Sequence, residues 1–278
     1  DKIFLLAKDK ASSDALGKKH SALSKPYNQN IFIDSSYEVI NHSKAVLIAT
    51  PSSAFGSVLK NIKDNVNDIP IAWVTKGFDP ETANLLHETF NHYLTGHHPC
   101  VISGPTFAAE IVEEKPAAIV VASKDEKTRD YWSDIIQTET LRAYTNSDIV
   151  GVQVGGSVKN ILAIAAGIAS GLGFGANTQA ALITRGLAEM TRLGVALGAD
   201  KITFQGLSGL GDLVLTCSDD LSRNRRFGKE LANNISTDDA LKNINATVEG
   251  FKALKLVLKV ARSSQIVMPI CKQVLLVT

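Results

Sequence analysis

Short, nearly continuous apolar runs alternate with amphipathic stretches in the first half of the chain. The runs are KIFLLA (2–7), KAVLIAT (44–50), IPIAWVT (69–75), CVISG (100–104) and AAIVVAS (117–123). Strands that are buried on both faces have this composition, whereas strands with one face in water alternate apolar and polar residues. The pattern predicts an α/β, Rossmann-like doubly wound parallel sheet with helices on both faces.

The residue pattern changes after LRAYTNSDIVGVQ (141–153), where Ala, Gly and Leu begin to recur at helical spacing. One predicted helical stripe consists of Val158, Ile161, Leu162, Ala165 and Ile168. A second consists of Leu182, Ile183, Leu187, Met190, Leu193 and Leu197. We therefore expect a dinucleotide-binding domain over residues 1–150 and a mostly α-helical substrate domain over 151–278, with a stiff interface and a cleft between them.

The ends of the chain suggest that parts of the natural protein are missing. No start methionine or signal sequence precedes the first apolar run, and the chain stops inside another, QVLLVT. We expect the first strand with its glycine loop to precede residue 1, and further helical residues to follow residue 278.

The bulk composition excludes several kinds of partner. The chain has 278 residues, with 29 Lys and Arg against 28 Asp and Glu, so its net charge of +1 favours neither nucleic acid nor an anionic membrane. No uninterrupted apolar stretch approaches the roughly 18–20 residues of a spanning helix, which predicts no stable membrane insertion. The three cysteines, Cys100, Cys217 and Cys271, are odd in number and widely spaced, as is typical of a reducing cytoplasm.

The usual dinucleotide fingerprint, G-x-G-x-x-G between a first strand and a helix, is absent from this sequence. GLGFG (171–175) follows a helical stretch and is interpreted as a bend. If the run 2–7 is the second strand of the sheet, Lys8 and Asp9 follow it where the adenosine ribose would lie. Lys8 would accommodate the 2′-phosphate of NADP, and Asp9 would suit NAD; an ordinary solvated turn is the alternative.

Three strand ends carry candidate site residues, because the carboxyl ends of such strands line a ligand crevice. The loop ATPSSAFG (49–56) contains Phe55, which either lines a cofactor or belongs to the core. WVTKGF places Lys76 directly after a buried strand, and ISGPTFAAE brings Gly104 and Thr106 towards the same crevice. A surface turn lysine is the commoner meaning of such a position and is the alternative for Lys76.

The segment GLSGLGDLVLTCSDDLSRNRRFG (206–228) combines an acidic residue in apolar surroundings, Asp212, with a basic helical turn. Ser222, Arg223 and Asn224 begin that turn. Backbone N–H groups, a hydroxyl and guanidinium groups together suit a phosphate. The alternative, which the sequence supports equally, is that these residues form a solvated basic helix face.

GGSVKNILAIAAG (155–167) places Lys159 at the start of an apolar run. If the helix begins near Gly156 or Ser157, Lys159 lies in its first turn, where the helix dipole disfavours a cation and lowers its pKa. Such a lysine suits an acid that gives up a proton near neutral pH. A surface lysine is the alternative.

Taken together, the motifs resemble bacterial-type NAD(P)-dependent glycerol-3-phosphate dehydrogenase. The motifs are WVTKGF, VISGPTFAAE, GVQVGGSVKN, GFGANTQAALITRGLAEM, GLGDLVLTCSDDLSRNRRFG and TVEG (247–250). The resemblance implies reversible, NAD- or NADP-dependent reduction of dihydroxyacetone phosphate to sn-glycerol 3-phosphate, which feeds glycerophospholipid synthesis, in the cytoplasm. It also implies that Lys159 is the catalytic general acid and base.

The resemblance carries further roles onto matching positions. Substrate-binding positions are Lys76, Gly104, Thr106, Lys159, Asp212, Ser222, Arg223 and Asn224. Cofactor-binding positions are Lys8, Lys76, Ala108, Arg223, Thr247 and Glu249, with Thr247 standing where the family commonly has valine. No metal is expected.

Two other functions stay open at this point. A different dehydrogenase of the same two-domain build, acting on a hydroxy acid or sugar acid, would also place a lysine after glycines in its second domain. A non-catalytic nucleotide-binding sensor would explain the absent glycine loop. A homodimer and the preference between NAD and NADP also stay open.

Overall fold

The computed structural model describes residues 2–16 and 26–278, so Asp1 and residues 17–25 of the predicted first domain lie outside the description. Five of the strands were predicted from the apolar runs, and β2 and β7 were not. The strands are β1 (Ile3–Leu6), β2 (Ile31–Asp34), β3 (Val46–Ile48), β4 (Ile71–Trp73), β5 (Cys100–Ser103), β6 (Ala117–Ala122) and β7 (Leu141–Asn146).

The strands form two hydrogen-bonded groups. β1 pairs with β2 in parallel, and β3 to β7 form a five-stranded sheet in chain order. The predicted parallel sheet is confirmed, with the difference that β5 and β6 pair antiparallel. Their connection carries only the short helix α4 (Ala108–Val112), whereas a parallel crossover ordinarily carries a full helix packed on the sheet. β6 and β7 are again parallel, joined through α5 (Glu126–Ile136).

Besides α4 and α5, the described part of the chain has three α-helices before the long central helix. They are α1 (Lys10–Leu16), α2 (Ser52–Ile62) and α3 (Leu86–Tyr93). The helical half then contains α6 (Ile149–Gly171), α7 (Ala176–Ala196), α8 (Asp212–Ser218), α9 (Arg223–Ala232), α10 (Thr237–Ile244), α11 (Glu249–Ser263) and α12 (Pro269–Leu276). The GLGFG segment is the turn between α6 and α7, as predicted.

Helix α6 begins earlier than predicted. Its N-cap is Asp148, whose Oδ1 accepts a hydrogen bond from the Gly151 backbone N–H at 2.8 Å. Lys159 therefore lies near the middle of α6, and the prediction that it occupies the first turn is wrong. Because the effect of the helix dipole fades beyond the terminal turns, it does not explain a low pKa at this position.

Helix α6 is the central element of the helical half. By length and composition it could cross a membrane, but 89% of its most apolar window is buried inside the protein, as in the core helix of a soluble fold. It has no single apolar stripe, because almost every side chain from Ile149 to Gly167 is buried. A helix that is apolar on all sides is enclosed on all sides, and α6 packs against α7, α8, α9, α11 and α12.

The buried apolar residues form one cluster in the helical half and one on each face of the five-stranded sheet. Phe55 of α2 lies in a sheet cluster with no exposed surface, and its ring centroid is 5.4 Å from that of Trp73. Of the two interpretations of Phe55, the core residue describes this geometry, and its contact with a cofactor stays a prediction.

Candidate functional site

A narrow crevice lies where β4 and β5 end against α6. Its lining comes from all three elements and includes Thr75, Lys76, Gly77, Val101, Ser103, Val152, Gln153 and Gly156. The residues of β4 and β5 are buried within the sheet. The polar residues at the carboxyl ends of these strands lie at the edge of the sheet and line the crevice. The crevice thus joins the sheet to the helical half.

Two lysines from different parts of the chain share one carboxylate beside this crevice. Lys159 Nζ of α6 pairs with Oδ1 of Asp212, and Lys76 Nζ lies 3.3 Å from Oδ2 of the same residue. The side chain of Asp212 is 1% exposed, that of Lys159 7% and that of Lys76 23%. A buried carboxylate needs such partners, because an unpaired charge in the interior is very costly.

The two lysines have opposite pKa shifts. Burial and the neighbouring Lys76 ammonium lower the pKa of Lys159 to about 7, although Asp212 opposes them. Burial also acts to lower the pKa of Lys76, but the charges of Asp212 and Glu249 raise it more. The opposite directions of the two shifts make Lys159 the more acidic of the two lysines. The predicted low pKa of Lys159 is present, with burial and a like charge as its cause.

A hydrogen-bonded ring joins α6, α9 and α11 next to the lysines. The Gly250 backbone N–H donates to Asn224 Oδ1 at 2.9 Å, and Asn224 Nδ2 donates to Asn160 Oδ1 at 3.0 Å. Asn160 Nδ2 then donates to Glu249 Oε2 at 3.2 Å, which closes the ring through the peptide bond between Glu249 and Gly250. The ring holds Asn224 and Glu249, both predicted site residues, on either side of Asn160.

Some side chains at the basic start of α9 make hydrogen bonds or ion pairs within the protein, and others are exposed. Ser222 is the N-cap, and its hydroxyl accepts the Arg225 backbone N–H at 3.3 Å. The Arg225 guanidinium pairs with Asp220 and donates to Ser170 Oγ at 3.1 Å. Arg223 is exposed, and no hydrogen bond or ion pair occupies it within the part of the chain that the structure describes.

The remaining predicted residues lie around this centre or apart from it. Gly104 has a left-handed backbone with φ +151°, and a Cβ there would lie 3.1 Å from the Ile119 Cα, so its packing against β6 already requires glycine. Thr106 Oγ1 donates to the Gly104 carbonyl oxygen at 3.3 Å. Ala108 is exposed at the start of α4, and Thr247 is half-buried just before α11.

Lys8 lies beyond the end of β1 and is far more exposed than the central lysines. Its side chain is 84% exposed, and its Nζ is 3.6 Å from Asp9 Oδ2. The neighbouring carboxylate is turned towards Ser12, whose backbone N–H donates to Asp9 Oδ1 at 2.7 Å. A solvated turn describes this geometry, so a cofactor contact of Lys8 stays a prediction.

Sequence reasoning missed several polar residues at the site. Gln153, Ser157 and Asn160 are buried on α6, and Ser103 is buried at the end of β5. The signal that could have found the first three is their polarity inside a long apolar helix, since buried polar groups need partners.

Metal-binding geometry is not found in the described ranges, 2–16 and 26–278. No group of three or more His, Cys, Asp or Glu side chains there is arranged to hold a metal ion.

Comparison with known families matches both halves of the chain. The family profile described as NAD-dependent glycerol-3-phosphate dehydrogenase C-terminus matches residues 148–278, and the corresponding N-terminus profile matches residues 13–129. A glycerol-3-phosphate dehydrogenase [NAD(P)+] from Ruthia magnifica subsp. Calyptogena magnifica is 57% identical over 279 residues, which cover all of this chain and 86% of that protein.

Solved structures give the same similarity in three dimensions. A glycerol-3-phosphate dehydrogenase from Coxiella burnetii has a TM-score of 0.94 at 37% identity, covering 98% of this chain and 86% of that one. A ketopantoate reductase from Ralstonia eutropha has a TM-score of 0.61 at 13% identity, covering 99% of this chain and 89% of that one. At that identity the second likeness shows a shared fold alone.

Proposed function

Because the chain belongs to the NAD-dependent glycerol-3-phosphate dehydrogenase family, we propose that Lys159 transfers the proton in its reaction, with Lys76 and Asp212 setting its charge. The enzyme reduces dihydroxyacetone phosphate to sn-glycerol 3-phosphate with NADH or NADPH, for glycerophospholipid synthesis. The observation that carries the proposal is the buried pairing of both lysines with one carboxylate.

We assign the reactive end of the cofactor to the region beside the lysines, where β4 and β5 end against α6. Ser103 Oγ is buried and has no hydrogen-bond partner among residues 2–16 and 26–278, so a polar group is left for a ligand to satisfy. A Cβ at Gly156 would lie 3.0 Å from Ser103 Oγ and 3.6 Å from Lys76 Cγ, so glycine keeps this space open. When bound, the nicotinamide supplies a hydride to the ketone carbon of the substrate. We assign Lys76, Ala108, Arg223, Thr247 and Glu249 to holding the cofactor.

Lys159 acts on the substrate oxygen. As an ammonium group it donates a hydrogen bond to the ketone oxygen, which stabilises the negative charge that develops there, and then transfers its proton. In the reverse reaction the neutral amine accepts the alcohol proton. A group whose pKa is about 7 serves both directions, because both of its protonation states are populated near neutral pH.

Lys76 and Asp212 tune that group in opposite directions. The Lys76 ammonium makes it easier for Lys159 to release its proton, whereas Asp212 orients the Lys159 side chain and prevents premature loss of the proton. Lys76 is also the more exposed lysine, so its ammonium is available to the substrate and cofactor in the crevice.

The substrate phosphate is assigned to the start of α9. Arg223 is exposed there and has no partner among the described residues. The helix N-terminus adds backbone N–H groups and the positive end of the helix dipole. The Ser222 hydroxyl caps the helix, so we assign Ser222 to holding the phosphate-binding turn in place. Binding the phosphate at a distance from the ketone orients the reacting carbon.

The alternative substrates predicted from the build of the protein have weaker support. The ketopantoate reductase likeness is confined to the fold, whereas both family profiles concern glycerol-3-phosphate dehydrogenase. No described residue favours a non-catalytic sensor over an enzyme, whereas the two lysines paired with Asp212 favour catalysis.

We also propose the wider setting predicted from the sequence. The division into domains 1–150 and 151–278 agrees with the start of α6 at Ile149. A cytoplasmic protein without nucleic-acid or membrane partners is supported by the net charge of +1, the buried α6 and the three free cysteines. We also propose that the protein forms a homodimer, and sedimentation at the monomer mass would contradict this.

The central test is Lys159→Met, which removes the ammonium group while keeping an unbranched side chain in the buried site. We expect kcat for dihydroxyacetone phosphate to fall roughly 10²–10⁴-fold, the usual contribution of a general acid, with NADH binding retained. Initial rates and cofactor titration measure the two properties. The matched control is Lys255→Met on the exposed face of α11, which should keep wild-type turnover. Near-wild-type turnover of Lys159→Met would reject the role of Lys159.

A further inference from the structure

One buried hydroxyl on α6 connects the helical half to the turn that carries Lys76. Ser157 is 1% exposed, and its Oγ donates to the Gln153 carbonyl oxygen at 2.7 Å, four residues earlier in the helix. The same oxygen accepts the Gly77 backbone N–H at 3.1 Å. A serine hydroxyl has one donor and two acceptor sites, so both bonds form at once.

The bond from Gly77 is necessary for that turn. Gly77 is buried and directly follows Lys76, and among the described residues no other acceptor takes its N–H. A buried N–H without an acceptor costs about 1–3 kcal/mol. The turn is therefore tied to α6 at a point two residues before Lys159, and the tie crosses from the end of β4 to the helical half.

We propose that Ser157 is a positioning residue of this enzyme, whose hydroxyl holds the Lys76 turn against α6 and so fixes the separation of the Lys76 and Lys159 ammonium groups. This rests on the proposed roles of the two lysines. Ser157 touches neither lysine's ammonium group in the hydrogen-bond network, so it acts through the backbone of Gly77.

The charges around Lys159 determine what loosening the turn would do. Lys76 approaches it from the end of β4, and Asp212 and Cys217 approach it from α8. Glu249 of α11 acts on Lys76. Of these groups, Lys76 is the one that directly precedes Gly77, whose backbone N–H the Ser157 hydroxyl accepts. If the turn loosens, Lys159 loses a neighbouring positive charge while Asp212 remains, and the pKa of Lys159 rises.

The direction of the kinetic effect follows. Reduction needs the Lys159 ammonium, so kcat/KM for dihydroxyacetone phosphate falls as the pH passes above the pKa of Lys159. In Ser157→Ala, the midpoint of that fall should move to higher pH, by on the order of one unit for a partly buried like-charge pair. In the oxidation of glycerol 3-phosphate, the rise in kcat/KM should move upward by the same amount.

The experiment combines these profiles with amide hydrogen exchange of the ligand-free protein. Ser157→Ala should accelerate exchange of the Gly77 N–H and shift both profiles upward. Ser157→Thr keeps the hydroxyl and should restore both properties towards wild type. If Ser157→Ala does not fold, Ser157→Cys gives the same measurements, because a thiol has similar size but forms weaker hydrogen bonds.

The matched control is Ser263→Ala on α11. Ser263 Oγ donates to the Val260 carbonyl oxygen within its own helix at 2.8 Å, so this change removes a similar bond without a tie to another element. It should alter neither the profiles nor Gly77 exchange. Unchanged exchange of Gly77 in Ser157→Ala overturns the inference, and so does faster exchange with unmoved profiles. Failure of the proposed function is distinguishable, since it appears as turnover retained by Lys159→Met.

Discussion

At the scale of single residues, Asp212 is the group on which the other charges of the site depend. Its two carboxylate oxygens are each used, one by Lys159 and one by Lys76, so a single buried anion accompanies two cations. Buried ion pairs seldom add much net stability, but removing one partner is costly because the others remain in the interior. A small net stability agrees with the proposed role of the cluster, which is to control the protonation of Lys159.

Asp212→Asn should shift the pH dependence in the direction opposite to Ser157→Ala. Asp212 raises the pKa of Lys159, so its loss leaves burial and the Lys76 charge unopposed, and the pKa falls below about 7. The fall of kcat/KM for ketone reduction should then begin at lower pH, and activity at neutral pH should drop. Measured pH profiles check this, with exposed Asp134→Asn on α5 as the control. An upward or absent shift would contradict the assigned role.

Arg223→Ala tests the phosphate end of the site. We expect KM for dihydroxyacetone phosphate to rise on the order of tenfold or more, since a hydrogen bond to a charged group contributes about 1.5–3 kcal/mol. Arg226→Ala is the matched control, because Arg226 is also exposed on α9 but lies three residues further from its N-terminus. Equal KM values for the two variants would show that Arg223 belongs to a merely solvated basic face.

At the scale of elements, α6 determines the geometry because other helices approach its backbone closely. A Cβ at Gly167 would overlap the carbonyl oxygen of Arg225 in α9, and a Cβ at Gly228 of α9 would overlap that of Ile164 in α6. Mutual glycines let the two helices pack at short range, which places Ser222 to Asn224 near Asn160. This contact links the predicted phosphate end to the lysines.

Gly167→Ala should destabilise the protein by forcing α6 and α9 apart. Alanine gains about 1 kcal/mol of helix propensity over glycine, but overpacking against backbone costs about 1–3 kcal/mol or more, so we expect a net loss. Gly56→Ala on α2 is the control, since a Cβ there meets only ordinary contacts at 3.7–4.0 Å. Urea unfolding measures both. A Gly167→Ala protein as stable as Gly56→Ala would contradict the close packing of these helices.

At the scale of the whole molecule, buried cysteines lie both in the sheet and in the helical half, which meet at the crevice. Their accessibility therefore shows whether each half is folded. Cys100 lies in β5, Cys217 in α8 and Cys271 in α12, and all three are free and buried. Burial raises the pKa of Cys100 and of Cys217 to about 12, and burial together with Glu189 raises that of Cys271. Their thiols are therefore protonated at neutral pH.

Thiol reactivity should consequently depend on folding. In the native protein we expect Ellman's reagent to label the three cysteines slowly, since the thiolate is the reactive form and the side chains are covered. In urea all three should react rapidly, and reducing agent should not change the native stability. The absorbance of the released thiolate follows both states. Rapid labelling of the native protein would show that one of the cysteines is accessible.

The outline of the fold was predictable because its signals are local. Each apolar run became a strand, and the helical half appeared as repeated apolar spacing, since burial of a strand or helix leaves its period in the neighbouring residues. β2 was not predicted because its apolar run is bounded closely by Asn30 and Asp34. β7 was not predicted because it is largely polar, lies at the sheet edge and has Tyr144 exposed. The direction of β6 depends on how a connection packs, which periodicity does not record.

The sequence by itself determined the family motifs and the residue types of the site: a lysine after a strand, a lysine among glycines and an aspartate in apolar surroundings. Only the tertiary structure decided that these three form one cluster, because Asp212 lies 53 residues from Lys159 and 136 from Lys76. It also decided why the pKa of Lys159 is low. Desolvation and a neighbouring charge are properties of the folded surroundings, and no local pattern around Lys159 contains them.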